Sequence, residues 1–119
     1  MIGFLEIIGI ILLITIINIK KFKYEDSKIN HKTIEMTKNY RIMKLIRVFE
    51  ESLCPYIESV EIATPCHLYI FQAATAVGVC AGFRDTALIW GNHRSHGHYI
   101  AKGGNINSLM DEIFCTSSG

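Results

Sequence analysis

The sequence predicts an α/β domain that is mostly helical, with one short strand and an apolar helix at the amino terminus. Three observations indicate this class. Apolar residues recur at three- and four-residue steps from Ile42 to Leu53, as they do on one face of a helix. Residues 72–82 are almost all small, which is typical of a closely packed helix. The run "TALIW", Thr86–Trp90, is typical of a buried strand in a parallel sheet.

Length and composition limit the classes of function. The chain has 119 residues and a formal net charge of +1, so we expect one domain and no nucleic-acid partner. Its four cysteines form no C-x-x-C pair and no disulfide framework is indicated, so we expect reduced thiols in a cytoplasmic domain.

The first 19 residues are strongly apolar and predict a membrane anchor. As a helix, Ile2–Ile19 would measure roughly 27 Å, enough for a bilayer core. Glu6 and Asn18 lie near its ends, where a polar group costs less. The lysines that follow place the rest of the chain in the cytoplasm: Lys20, Lys21 and Lys23. The alternative is an extension outside the working domain.

Residues 20–32 are polar and predict a linker, and residues 33–119 then form the domain. Its first helix is predicted to begin at Thr33 as cap and to end at Cys54–Pro55, because proline disfavours helical backbone in the residue before it. The predicted apolar stripe of this helix comprises Ile42, Leu45, Ile46, Phe49 and Leu53.

Two further helices flank the predicted strand. A buried helix covers 72–82 and ends at Gly82. A last helix begins near Asn107 or Ser108, and it buries Leu109, Met110, Ile113 and Phe114. Between them, the run "GNHRSHGHYIAKGG" follows the strand directly, and ligands bind at the carboxyl ends of strands in open α/β sheets.

Three interpretations of this histidine run remain open. In the first, His93, His96 and His98 bind a metal ion, with Cys66 or His67 as a distant partner. This spacing matches no common zinc pattern, and an arginine lies among the ligands, so no metal site is predicted.

In the second interpretation the run binds an anion. The planar guanidinium of Arg94 suits phosphate oxygens, while Gly91 and Gly97 allow close approach of the backbone. In the third, the histidines are only satisfied polar groups at a domain surface. Composition and spacing do not separate the second interpretation from the third.

The order of three motifs resembles one family. "YRIMKLIRVFEE", "CHLYIFQAATAVGVCAG" and "GNHRSHGHYIAKGGNINSLMDEIF" are similar in order and spacing to the alpha subunit of the thiamine-diphosphate-dependent 2-oxo acid dehydrogenases of pyruvate, branched-chain and acetoin type. The resemblance covers Tyr40–Gly119. It implies a partial thiamine-diphosphate-binding fold, and residues 33–119 are then an incomplete alpha-subunit domain from an amino-terminal fragment or truncated relative.

The resemblance also implies roles for individual residues. Arg94 matches the arginine that grips the cofactor's diphosphate, and His93 matches the preceding residue, which also touches the cofactor. His67 matches a catalytic, cofactor-contacting histidine beside the thiazolium end. His96 and Gly97 match the H-G that shapes the loop. Three helix positions match residues that pack rather than react: Tyr40, Arg47 and Phe49.

The implied activity is oxidative decarboxylation of a 2-oxo acid on thiamine diphosphate, with transfer of the acyl group to a lipoyl carrier. The implied partners are the beta subunit of the enzyme and a lipoyl-bearing acyltransferase. Because these are separate chains, we expect the isolated chain to be inactive. The alternative is a non-catalytic, membrane-anchored interaction protein that retains the scaffold.

The sequence departs from the family at several positions. Where the family usually has G-Q-E-A, Phe71 replaces the glycine and Ala73 the glutamate. Cys115 and Thr116 stand in place of the glycine and lysine of G-K-x-x-G. The metal-diphosphate motif, G-D-G followed by asparagine, is absent, so the sequence predicts no Mg²⁺ ligands in this chain.

Overall fold

Four helices account for the regular structure of the part that the computed structural model describes, residues 4–117, with side chains from residue 13 onward. They are α1 (Phe4–Glu58), α2 (Ala73–Ala81), α3 (His96–Ala101) and α4 (Ile106–Ile113). These described residues contain no β-strand. The predicted α/β class is therefore wrong, and this part of the chain is helical.

The predicted strand Thr86–Trp90 is irregular backbone at the surface. Leu88 is 86% exposed and Trp90 is 90% exposed, so the apolar run is not buried. A parallel strand requires hydrogen bonds from neighbouring strands, and the described residues supply none. The histidine run consequently does not follow a strand, and α3 begins within it instead.

Helix α1 is much longer than predicted. No glycine or proline lies between Gly9 and Pro55, so no residue in that stretch ends the helix. The predicted cap Thr33 lies inside α1, where its hydroxyl donates to the Ile29 carbonyl at 3.0 Å. Pro55 also lies inside the helix. A proline lacks the backbone N–H donor, but its carbonyl still accepts a hydrogen bond, here from the N–H of Ser59 at 2.9 Å.

The predicted separate apolar helix at the amino terminus is also wrong. From Phe4 onward the apolar segment is the beginning of α1, which continues through the polar residues 20–32; residues 1–3 of the predicted anchor lie outside the described residues. No helix in the described part of the chain combines the length and the apolar character that crossing a bilayer requires.

The chain divides into two units, Met1–Thr37 and Lys38–Gly119. In the first unit, every described side chain from Leu13 onward is exposed. The second unit has a hydrophobic core, to which α1 contributes Ile46, Phe49 and Leu53 from the predicted stripe. Of the other two stripe residues, Ile42 is half-buried and Leu45 is exposed. The remaining core residues are Ile62, Tyr69, Ala76, Val77, Ile100 and Ile113.

The short helices of the second unit complete this core. The helix predicted over 72–82 is confirmed as α2, which Gly82 caps and which packs against α3, but it is not buried as predicted, since only Ala76 and Val77 are buried. The last predicted helix is confirmed as α4, although its cap is Asn105, whose side chain accepts from the N–H groups of Asn107 and Ser108. Of the four residues predicted to be buried there, Ile113 is buried and the other three are half-buried.

Candidate functional site

The only buried charged residue among those described is Glu50, which is 0% exposed. It lies on the apolar stripe of α1, between Phe49 and Leu53. Its Oε2 accepts the backbone N–H of Tyr69 at 2.9 Å, and its Oε1 lies 3.1 Å from Nδ1 of His96. A buried carboxylate is costly unless it is hydrogen-bonded, and both oxygens of Glu50 have partners.

His96 begins α3 and is held from two sides. Its side chain is 15% exposed, and its ring meets Phe49 edge-on with centroids 6.4 Å apart. An ionised carboxylate can only accept hydrogen bonds, so the contact with Glu50 assigns the proton to Nδ1 of His96. The carboxylate thereby fixes which ring nitrogen of His96 donates.

Gly97 lies directly against the ring of Tyr69. A Cβ atom at this position would come within 2.3 Å of Tyr69 Cδ1, closer than atoms can pack. Tyr69 is 2% exposed and belongs to the close-packed core, so moving its ring would disturb that packing. Close approach to the Tyr69 ring therefore favours glycine at this position.

Tyr69 also contacts His98, the third histidine of the run. Their ring centroids are 5.3 Å apart, at 77°. The Nδ1 atom of His98 is buried and has no hydrogen-bond partner among the described residues. Burial raises the pKa of the Tyr69 hydroxyl, and Cys80 raises it further, so this hydroxyl stays protonated at neutral pH.

The residues predicted to contact the cofactor lie at the surface. The exposed rings of His67 and His93 meet edge-on with centroids 4.9 Å apart, although 26 positions separate the two residues. Arg94 is exposed, and its backbone N–H donates to Asn92 Oδ1 at 3.2 Å. The structure thus brings together the two segments that carry the predicted site residues.

Cys66, beside His67, is half-buried. Burial raises the pKa of its thiol, and the negative charge of Glu50 and the neighbouring Cys54 raise it further. The thiol is therefore mostly protonated at neutral pH and is a weak nucleophile.

The segment after His67 has an unusual backbone. Phe71 has φ = 69°, in the left-handed region that favours glycine, and its side chain is 88% exposed. The guanidinium carbon of Arg47 lies 4.7 Å from the centre of the Phe71 ring. Cys115 also has a positive φ, 55°. Both positions, where the family resemblance predicts glycine, therefore keep a backbone conformation that glycine adopts readily.

The histidine run does not form a metal centre in the part of the chain that is described, where no group of three or more candidate ligands occurs. His93, His96 and His98 contact three different residues: His67, Glu50 and Tyr69. Their imidazole nitrogens therefore do not converge on one point.

The sequence did not single out Glu50 or Tyr69. A signal for Glu50 was present, because an acidic residue lies among the apolar positions Ile46, Phe49 and Leu53 of one helical face. Glutamate is almost never fully buried without a partner, so this position predicts a partner elsewhere in the chain. No pattern near Tyr69 indicated that its backbone N–H would be that partner.

Comparison with curated proteins identifies clear relatives. The chain is 40% identical over 80 residues to the alpha subunit of acetoin:2,6-dichlorophenolindophenol oxidoreductase of Bacillus subtilis, covering 67% of this chain and 24% of that protein. It is 39% identical over 88 residues to the pyruvate dehydrogenase E1 component subunit alpha of Zymomonas mobilis, covering 71% of this chain and 24% of that protein.

These relatives confirm the predicted resemblance: the matched two thirds of the chain is homologous to pyruvate and acetoin dehydrogenase alpha subunits. The chain spans about a quarter of the length of the curated relatives it matches. No family model matches the sequence, and no solved structure matches it.

Proposed function

We propose that this chain supplies part of the alpha subunit of a thiamine-diphosphate-dependent 2-oxo acid dehydrogenase of the pyruvate or acetoin type. The homology of two thirds of the chain to such alpha subunits supports the proposal. The observation that carries it is the contact between His67 and His93, because these two residues come from separate motifs of the resemblance and their exposed rings meet next to Arg94 in the sequence.

The residues present suit a diphosphate. The guanidinium of Arg94 forms no ion pair with the other residues described, so its donors are available to phosphate oxygens. His93, next to it, can donate from its ring. When bound, thiamine diphosphate supplies the carbanion-stabilising chemistry that releases carbon dioxide from a 2-oxo acid.

His67 is proposed as the catalytic residue of this part of the site. Its exposed ring contacts His93 and therefore lies close to the proposed diphosphate-binding residues. From there its imidazole can donate a proton or a hydrogen bond to an oxygen on which negative charge develops.

The Mg²⁺ ligands of the proposed site come from outside the described residues, which contain no group of candidate metal ligands. On this proposal the partners are a beta subunit and a lipoyl-bearing acyltransferase, which receives the acyl group. The isolated chain then does not turn over, and steady decarboxylation by the purified chain alone would contradict this part of the proposal.

Calorimetric titration of the full chain with thiamine diphosphate and Mg²⁺ tests the cofactor site. We expect Arg94→Ala to weaken binding by at least about tenfold, because it removes the charge-assisted hydrogen bonds to the diphosphate. The matched control is Arg41→Ala, which removes the same charge from an exposed position on α1. Equal affinity in wild type and Arg94→Ala would exclude Arg94 as the diphosphate-binding residue.

A further inference from the structure

We propose that Glu50 is a positioning residue that holds the segment carrying His67 and the segment carrying Arg94 in a fixed relation. Its connections span the unit: one carboxylate oxygen binds a backbone group 19 positions away, and the other binds a ring 46 positions away. The idea that a ligand binds at these segments rests on the proposed function. The contacts of Glu50 are observed and do not depend on it.

The two partners of Glu50 are close in sequence to the candidate site residues. Tyr69, whose N–H is 2.9 Å from Glu50 Oε2, follows His67 by two positions. His96, whose Nδ1 is 3.1 Å from Glu50 Oε1, follows Arg94 by two positions. The carboxylate therefore limits how far His67 and Arg94 can move apart.

Burial makes this connection strong. Glu50 is 0% exposed, so water cannot replace a partner that moves away, and the carboxylate would be left unsatisfied. The adjacent residue Glu51 offers the contrast. Its carboxylate pairs with Arg47 on the same helix face, its side chain is 52% exposed, and water can replace the partner.

The protonation of His96 provides a signature of this role. With a carboxylate at position 50, Nδ1 of His96 carries the proton. Glu50→Gln keeps the size of the side chain but leaves one accepting oxygen and one donating NH₂. If the oxygen stays on the Tyr69 N–H, the NH₂ faces Nδ1 of His96, and the ring proton must then move to Nε2.

Nuclear magnetic resonance of the full, ¹⁵N-labelled chain tests the contact directly. Histidine ring spectra report which nitrogen is protonated. We expect the Nδ1–H form for His96 in the wild type and in the Glu51→Gln control, and a shift to the Nε2–H form in Glu50→Gln. An unchanged His96 spectrum in Glu50→Gln would overturn the proposal.

Calorimetric titration with inorganic diphosphate then tests the consequence for binding. We expect Glu50→Gln to weaken binding by about tenfold, because the neutral amide replaces two charge-assisted hydrogen bonds with weaker ones and holds the segments of His67 and Arg94 less firmly. Glu51→Gln should change it by less than about twofold, as expected for a solvent-exposed pair. Equal affinities of wild type and Glu50→Gln would overturn the positioning role.

If the proposed function is wrong, the outcome of these experiments differs from the outcome expected if only the role of Glu50 is wrong. A wild-type chain that binds no diphosphate would overturn that function, while the His96 spectra would still decide whether Glu50 fixes the two segments. The spectra therefore test whether Glu50 holds His96, and the titration tests whether this contact affects diphosphate binding.

A second pair of variants covers the case in which Glu50→Gln does not fold. His96→Asn places an amide donor near the position of Nδ1, whereas His96→Ala removes the donor. We expect His96→Asn to recover most of the diphosphate affinity that His96→Ala loses. Equal loss in both variants would overturn the proposal, because it would show that the hydrogen bond to Glu50 is not what matters.

Discussion

The two halves of the histidine run differ in their surroundings. The inner half, His96, Gly97 and His98, packs against Glu50 and Tyr69 in the second unit. The outer half, His93 and Arg94, is exposed, and its one ring contact is with the equally exposed His67. Residues of similar chemistry, a few positions apart, thus belong to different environments.

If the proposed function is correct, this difference should separate effects on stability from effects on ligand binding along one short segment. A change in the inner half disturbs close packing or a buried hydrogen bond and should lower the free energy of unfolding. A change in the outer half removes exposed groups whose few contacts water can replace, so on the proposed function it should affect binding and leave folding almost intact. The predictions below test this division, beginning with the largest expected effect.

Gly97→Ala should have the largest effect on stability. The new Cβ would lie 2.3 Å from Tyr69 Cδ1, and the side chain of Tyr69 is 2% exposed within the core. Overpacking of this kind costs about 3 kcal/mol, which can unfold a small domain. Urea denaturation followed by circular dichroism measures the loss.

The matched control is Gly78→Ala in α2. No atom lies within 4 Å of the added Cβ, and alanine favours a helix interior over glycine by about 0.5–1 kcal/mol. We therefore expect this variant to be slightly more stable than the wild type. If both alanine variants behaved alike, the packing of Gly97 against Tyr69 would not explain the effect.

The thiol of Cys66 is half-buried and should be protected from alkylation. Its raised pKa leaves little thiolate, so iodoacetamide should alkylate it about tenfold more slowly than the exposed Cys115 near pH 8. Its rate should continue to rise as the pH passes its ordinary pKa of 9.0, because deprotonation is displaced upward. Peptide mass spectrometry gives both rates.

The control for this comparison is the chain in concentrated urea. Once burial and the charge of Glu50 no longer act on Cys66, the two cysteines should react at similar rates. Equal rates already in the folded chain would show that Cys66 is not shielded and that the inner packing does not extend to it.

The left-handed backbone at Phe71 predicts a smaller effect. Phe71→Gly and Phe71→Ala both remove the ring over Arg47, but only glycine adopts φ = 69° without steric cost. The glycine variant should therefore be about 1 kcal/mol more stable than the alanine variant in urea denaturation. The opposite order would mean that the turn after His67 relaxes when the ring is removed.

Local patterns predicted much of the helical structure. The spacing of Ile46, Phe49 and Leu53 correctly placed three core residues on one face of a helix, and the small residues before Gly82 correctly indicated α2. These features depend on residues a few positions apart, which is the range over which propensity and periodicity act.

Features that depend on distant residues were not predictable in the same way. The run Thr86–Trp90 has the composition of a strand, but pairing requires neighbours that the described chain does not supply. Likewise, the partners of Glu50 lie 19 and 46 positions away, and no local pattern joins them. The length of α1 was underestimated because polar composition was interpreted as a linker although no glycine or proline interrupts it.

The candidate site contains both features that local motifs indicate and features that depend on distant residues. The resemblance identified His67, His93 and Arg94 from their motifs, and the structure brings the first two within ring contact. An acidic residue on an apolar helix face indicates a partner for Glu50, but the contact with Tyr69 is visible only through burial and hydrogen bonds. Motifs can indicate candidate binding groups at the surface, whereas the buried contacts of Glu50 depend on the packed chain.

Arg94→Ala should have the smallest effect on stability. Its side chain is exposed and forms no ion pair with the described residues, so the free energy of unfolding should change by less than about 0.5 kcal/mol. The same variant is expected to lose diphosphate binding, whereas Gly97→Ala loses stability. A large destabilisation by Arg94→Ala in urea denaturation would contradict the division between an inner half for stability and an outer half for binding. It would mean that the outer half also supports the fold and that the variant loses binding because it unfolds.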